Sequence, residues 1–363
     1  SAESPTPNHQ SSITMQLDLT ATIIALLTFF GISAMIALSL NLEYGLTGIP
    51  NFGKALFVSI GAYVAGMTYT RLLPLLAGQE VINPCGSGLG QALQLRSEIM
   101  RTLPAIGFAN FAITLVIAAV IGGLVGYLAS YPALRLKEEW YLALVLLVAS
   151  EIVRIFVRSY EPIICAHNGL SGISQPFTFL REPQLSSMLF AGLVLIFAAA
   201  FYVYSERLTR SPYGRLLKSV RENDVVSTSL GKSVARARAQ VMVIGSAMAA
   251  LAGVFFVVNV GFASSNDYVM TLTLDIWVMI VLGGLGNNKG ALVGALIVTV
   301  LDRVTAITAI QMNMLGSDFE FNYFRYMIFG IILLLMLRYR PQGLVPEPLH
   351  TTKASTAFDK MTG

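Results

Sequence analysis

Charge is scarce in this 363-residue chain, where Asp, Glu, Lys and Arg together make up 12% of the residues, about half the share of an ordinary soluble domain. That scarcity excludes a surface wetted by water on every side. Cysteine is almost missing, present only as Cys85 and Cys165, which excludes a disulfide scaffold and a Cys-rich metal site. Histidine occurs three times and takes part in no Ser/His/Asp or metal-ligand pattern. His167 reads as a surface residue of a loop, and neither an enzyme nor a cofactor is expected. The formal charge of +4 is too modest to argue for a nucleic-acid partner. The opening SAESPTPNHQSS is polar and does not read as a signal peptide.

Two short motifs suggest nucleotide binding and fail on inspection. Gly231-Lys-Ser has the tail of a phosphate-binding loop, but Val226 stands where its first Gly belongs. Gly284-Leu-Gly286 has Lys289 in place of the third Gly of a dinucleotide fingerprint. Any nucleotide-driven energy source must therefore come from another chain.

What the sequence has in quantity is apolar surface, with 55% hydrophobic residues and a mean hydropathy of +0.68. Crossing a bilayer takes about 20 apolar residues, and about nine stretches qualify. They run Thr20 to Leu40, Gly53 to Leu73, Pro104 to Leu128, Trp140 to Tyr160, Ser187 to Tyr204, Ala239 to Val260, Tyr268 to Leu282, Ala291 to Ile310 and Tyr323 to Leu337. The expected fold is all-α, a polytopic integral membrane protein with about nine transmembrane helices. The second and seventh are rich in Gly or polar residues and are candidates for broken or re-entrant helices, shielded inside the protein. Trp140, Tyr141 and Tyr326 near span ends suit interfacial anchors.

Basic residues set the orientation. None precedes Lys54, whereas Arg207, Arg210, Arg215, Lys218, Arg221, Lys232, Arg236 and Arg238 crowd the segment between the fifth and sixth spans. The positive-inside rule makes that segment cytoplasmic. Threading from it puts the N-terminus outside and Arg135, Lys137, Lys289, Arg338, Arg340 and the C-terminus inside. The loops Ala77 to Leu103 and Glu161 to Leu185 then face out, each with one cysteine, and a Cys85–Cys165 bond is as open there as two free thiols.

Within the basic segment, Ser211 can cap a helix with Pro212 at its first position, and Asn223 can cap a second that ends at Gly231. Leu216, Leu217 and Val220 form an apolar face opposite Arg215, Lys218 and Arg221. Such a helix either lies on anionic lipid or docks in a groove of a partner. Inside the spans, Glu151 and Arg154 sit three apart and can neutralise each other. Asp275, Asp302 and Arg303 raise the question of a polar pathway.

The run Ser-Pro-Tyr-Gly-Arg, Val-Arg-Glu-Asn-Asp and Ser-Leu-Gly from Ser211 to Gly231 resembles the coupling loop of permeases of the branched-chain amino acid ABC importers. Four more stretches resemble the same family: Asn41 to Gly66, Asn168-Gly-Leu-Ser-Gly-Ile, Leu282-Gly-Gly-Leu-Gly with Gly290 and Gly294, and Arg340-Pro-Gln-Gly-Leu344. The chain departs from it at Lys54, where His or Gln is commoner, and at Val226 and Ser227, where alanines are.

The resemblance implies a permease subunit: an extracytoplasmic segment at 1–19, one transmembrane domain at 20–340 with a cytoplasmic coupling loop at 206–238, and a cytoplasmic tail at 341–363. It implies three kinds of neighbour besides the lipid bilayer of the cell membrane: a second homologous permease subunit, two cytoplasmic ATP-binding subunits, and an extracytoplasmic substrate-binding protein. It assigns ATPase coupling to Gly214, Arg215, Lys218, Arg221, Glu222, Asp224, Leu230 and Gly231. Asn41, Tyr44, Thr47, Asn51, Glu151 and Asp275 are the candidates for the substrate pathway. The substrate would be a branched-chain amino acid, with urea or a short amide as the alternative. A stand-alone secondary transporter or channel using Glu151, Asp275 and Asp302 as ion sites is the rival of a different class.

Overall fold

The computed structural model describes residues 19–135, 139–180, 182–314 and 321–347. The N-terminal segment through Asp18, Lys137 and the tail beyond Glu347 lie outside them, as do the side chains of Arg135 and Tyr326.

The chain is a bundle of fourteen described α-helices: α1 (Leu19–Leu40), α2 (Lys54–Met67), α3 (Leu73–Leu76), α4 (Leu89–Thr102), α5 (Pro104–Arg135), α6 (Glu139–Ser159), α7 (Glu161–Ile164), α8 (Pro183–Arg210), α9 (Pro212–Glu222), α10 (Asp224–Ser229), α11 (Val234–Val260), α12 (Met270–Gly283), α13 (Asn288–Met314) and α14 (Phe321–Tyr339). Strands β1 (Leu170–Ser171) and β2 (Phe262–Ala263) pair antiparallel. The all-α membrane expectation holds. Among the described residues seven helices are long and apolar enough to cross a membrane. The seventh and ninth expected spans are shorter apolar helices, Met270–Gly283 and Met327–Met336, so a count of nine is not established. At about 1.5 Å per residue, the 14 residues of α12 reach about 21 Å, short of the roughly 30 Å hydrocarbon core.

A bilayer removes the usual contrast between a greasy inner face and a wet outer one, so small residues mark the interior instead. The central helices are the Lys54–Leu76 stretch and α11, with 78% and 72% of their most apolar windows buried, against 28–33% for α5, α6, α8 and α13. A Cβ on Gly61 would stand 1.7 Å from the Ala250 carbonyl oxygen, and one on Gly253 would stand 1.9 Å from that of Val58. The two backbones therefore touch. Replacing Gly253 with Val should push α2 and α11 apart and abolish recovery of a monodisperse protein in detergent, while Gly192→Val on α8, where a Cβ meets nothing, should not. Size-exclusion profiles of the two variants check this.

Cys85 and Cys165 form a disulfide, with their Cα atoms 5.3 Å apart. The bond ties the loop after α3 to the one after α7, placing both at one end of the bundle. Arg96 of α4 braces the same cap by donating to the carbonyl of Ser171 in β1. Helices α8 and α11 lead away from this cap to α9 and α10, which therefore lie at the opposite end, about 40 Å away along the 27 residues of α11.

Candidate functional site

Both caps expected between α8 and α11 are present. Ser211 Oγ accepts from the Gly214 amide with Pro212 opening α9, and Asn223 accepts from the Val226 amide to open α10. Gly231 stops the segment at φ +74°. The faces are turned the other way from a free docking helix: Gly214, Leu217 and Val220 are buried against the bundle. Lys218 and Arg221 are occupied within the chain. Glu347 receives both, at 2.6 Å from Lys218 and 2.8 Å from Arg221, and Arg221 also donates to the carbonyl of Gly45, in the turn that follows α1. What α10 and its edge offer outward is apolar, with Val225, Val226 and Leu230 53–72% exposed. Arg215, Glu222 and Gly231 are exposed as well, and Asp224 lies 3.5 Å from Arg238.

Glu347 belongs to a strap. Leu344 and Val345 donate to the carbonyls of Leu282 and Gly283, and Asn287 donates to those of Val345 and Pro346. Gly343, at φ +83°, stands where a Cβ would come 2.3 Å from the Gly284 Cα. The Arg-Pro-Gln-Gly-Leu ending thus closes over the glycine turn between α12 and α13 and carries its carboxylate to α9. Burial by itself would raise the Glu347 carboxyl, but hydrogen bonds and charge from Lys218 and Arg221 hold it below the ordinary carboxylate value. A depressed folded value means the clamp contributes fully above the unfolded value and loses its contribution as pH falls through the folded one. The protection of the Leu344 and Val345 amides, taken relative to their intrinsic exchange rates, should therefore be high at neutral pH and fall as acid protonates Glu347, below the ordinary carboxylate range. The Glu347→Gln variant should lack that acid limb.

The arm of Arg221 leads to the centre of the protein. Between α1 and α2 the helix widens into a π-turn, Asn41–Gly45, and then gives way to irregular backbone through Gly53. Irregular backbone at membrane depth is tolerated only where protein covers it, and Ile49, Pro50, Asn51 and Gly53 are all buried. At its two ends stand Glu43 and Lys54, each fully enclosed, with Nζ 2.8 Å from Oε1. Asn51 Nδ2 donates to the other carboxylate oxygen at 2.8 Å. Lys54 Nζ also lies 3.5 Å from the carbonyl of Gly245, in the middle of α11. A Cβ on Gly245 would come 2.2 Å from Glu43 Oε1, so glycine there makes room for the carboxylate. Trp277 of α12 donates to the Asn51 carbonyl at 3.4 Å and packs against Phe52 and Tyr44, with ring centroids 4.6 Å and 4.7 Å away.

The expected pathway residues separate on this geometry. Asn41 is a clamp, accepting from the Gly286 amide and donating to Asn288, and Thr47 donates back to the Glu43 carbonyl. Asn51 and Tyr44 lie beside the ion pair and the aromatic group. Glu151, on α6, pairs with Arg154 at 2.7 Å, the local neutralisation its spacing suggested. Asp275 and Asp302 have interaction partners of their own, and Arg303 lies over the Phe29 ring. Sequence reasoning passed over Glu43 and treated Lys54 only as a departure from a family pattern. A signal was there, because Glu43 and Lys54 are the sole charged residues between Asp18 and Arg71.

A bundle with a short half-helix, an interrupted helix and paired charges at its centre has the architecture of a polytopic membrane transporter. The family model described as "Branched-chain amino acid transport system / permease component" matches residues 22–337, and the chain belongs to that family. It is 34% identical over 96% of its length, and all of the relative's, to the "Probable branched-chain amino acid transport permease protein LivM" of Methanocaldococcus jannaschii. It is 27% identical to the "High-affinity branched-chain amino acid transport system permease protein LivM" of Escherichia coli, over 86% of this chain and 67% of that one. The corresponding LivH of E. coli is 23% identical over 87% of this chain and 91% of its own. No solved structure matches the chain.

Proposed function

We propose that this chain is a permease subunit through which a branched-chain amino acid is imported, paired with a second, homologous permease, driven by two cytoplasmic ATPases and supplied with substrate by an extracytoplasmic binding protein. The observation that carries this reading is the unbroken contact from α9 to the interior. Arg221 holds the Gly45 carbonyl, two residues from the carboxylate paired with Lys54. Movement imposed on α9 and α10 is thereby delivered to the interrupted helix at the centre.

In this reading the basic end faces the cytoplasm, with the N-terminus outside and the C-terminus inside. The disulfide at the other end supports it, since bonds of this kind persist in oxidising compartments outside the cytosol. The ATPase contact is made by Arg215, Glu222, Asp224, Leu230 and Gly231 with the exposed valines of α10. Gly214, Lys218 and Arg221 act from behind, holding α9 to the bundle. The substrate class comes from the likeness to the LivM and LivH permeases.

The test is purification of the native complex with Cys introduced at Leu230. The expected result is co-purification of ATPase subunits, a cross-link from position 230 to one of them, and leucine uptake in proteoliposomes that needs ATP. Labelling of position 230 from the exterior of intact cells, or ATP-independent uptake by the isolated chain, overturns the reading.

A further inference from the structure

A fully buried ion pair calls for an explanation other than stability. Removing two charges from water costs about as much as their attraction returns, and a well-packed apolar pair of the same volume is commonly as stable. The Glu43–Lys54 pair is placed where such a cost would be greatest, beside the middle of α11. Its two members stand at opposite ends of the irregular segment that joins α1 to α2, so they separate if that segment shifts. The ammonium has one short bond to Glu43, one long approach to the Gly245 carbonyl and the Phe57 ring 5.9 Å away, which leaves a donor over for a further partner. Around the pair are the remaining parts of a recognition site: the Asn51 amide on the carboxylate and, across the Asn51 carbonyl, the apolar faces of Trp277, Phe52 and Tyr44.

We propose that Glu43 and Lys54 form a self-neutralising substrate site for a zwitterion, an α-amino acid with an apolar side chain. This rests on the amino-acid import reading above. In the closed arrangement the two charges cancel each other and the interior holds no net charge. When alternating access parts the segment, Glu43 takes the α-ammonium of the substrate and Lys54, with the Asn51 amide, takes its α-carboxylate. The aromatic group receives the side chain. The exchange replaces one neutral pair by two, so no uncompensated charge appears inside the membrane in either arrangement. A molecule with only one of the two charges would leave Glu43 or Lys54 unpaired and is rejected; sites built to pair a substrate group discriminate by factors of about 10⁴ against analogues lacking it.

The competing explanation is a structural pair that merely fixes the turn between α1 and α2, and polarity separates the two. In the assembled transporter, the reversed pair Glu43→Lys/Lys54→Glu should assemble and melt like the parent yet lose leucine uptake by at least about 100-fold, because the site now presents its charges the wrong way round. Wild-type uptake by the reversed pair overturns the proposal. If the reversed pair does not assemble, the neutral double variant Glu43→Gln/Lys54→Gln decides, with retained uptake overturning the proposal and loss of uptake in an intact complex supporting it.

A third measurement needs no variant. The wild-type complex should bind leucine at least about 100-fold more tightly than leucinamide or 4-methylpentanoate, and equal binding of either analogue overturns the proposal. A wild-type complex that transports no apolar amino acid at all instead refutes the import reading on which the site depends.

Discussion

Lys54→Met alone should prevent stable assembly, whereas Glu43→Gln/Lys54→Met should restore it. The single substitution leaves a carboxylate with one amide donor in a fully enclosed position. Breaking one side of a buried pair costs about 3–5 kcal/mol, while removing both sides is often neutral. Taking up a proton lets the stranded carboxyl escape part of that cost, so the Lys54→Met protein should regain stability in acid while the double variant shows no such dependence. Thermal unfolding in detergent at two pH values measures both effects. A single variant as stable as the parent at neutral pH would mean that Glu43 is already neutral and that the contact is an ordinary hydrogen bond.

The second large effect is expected at Arg221. Its planar fork spans two partners at once, the Gly45 carbonyl and Glu347, and hydrogen bonds to a charged group contribute about 1.5–3 kcal/mol each. Arg221→Glu removes both and faces Glu347 with a like charge. ATP hydrolysis by the assembled complex should continue, and uptake should fall by at least about tenfold, a ratio of turnover to transport that a simple loss of protein would not change. Arg221→Lys should be intermediate, because a single ammonium cannot reproduce the bidentate geometry. Gly214→Asp is a poor probe of the same step. A Cβ there would come within 2.3 Å of the Leu208 carbonyl and 2.4 Å of that of Thr209, so the turn from α8 into α9 would break and folding would fail together with coupling.

These two sites also show where sequence reasoning stopped. Ser211 and Asn223 were legible as caps because a cap is set by neighbours three residues away. The apolar face of α9 was legible too, but its destination was not. Leu217 and Val220 could have covered a partner or the bundle, and periodicity reports only that a face exists. The occupants of Lys218 and Arg221 were hidden for the same reason, since Glu347 lies 126 residues and Gly45 176 residues from Arg221. Glu347 itself sits in an extended strap with no pattern to announce it.

The membrane class, the all-helical fold and the position of each apolar stretch were determined by the sequence alone, because they follow from hydropathy and from local backbone chemistry, which act over a few residues. The pairing of Glu43 with Lys54, the choice of the inward face of α9 and the closing of the C-terminal strap over the glycine turn were decided only by tertiary structure. Each depends on which surfaces meet when the helices pack, and a charge enclosed in a membrane protein is defined by the partner that packing brings to it.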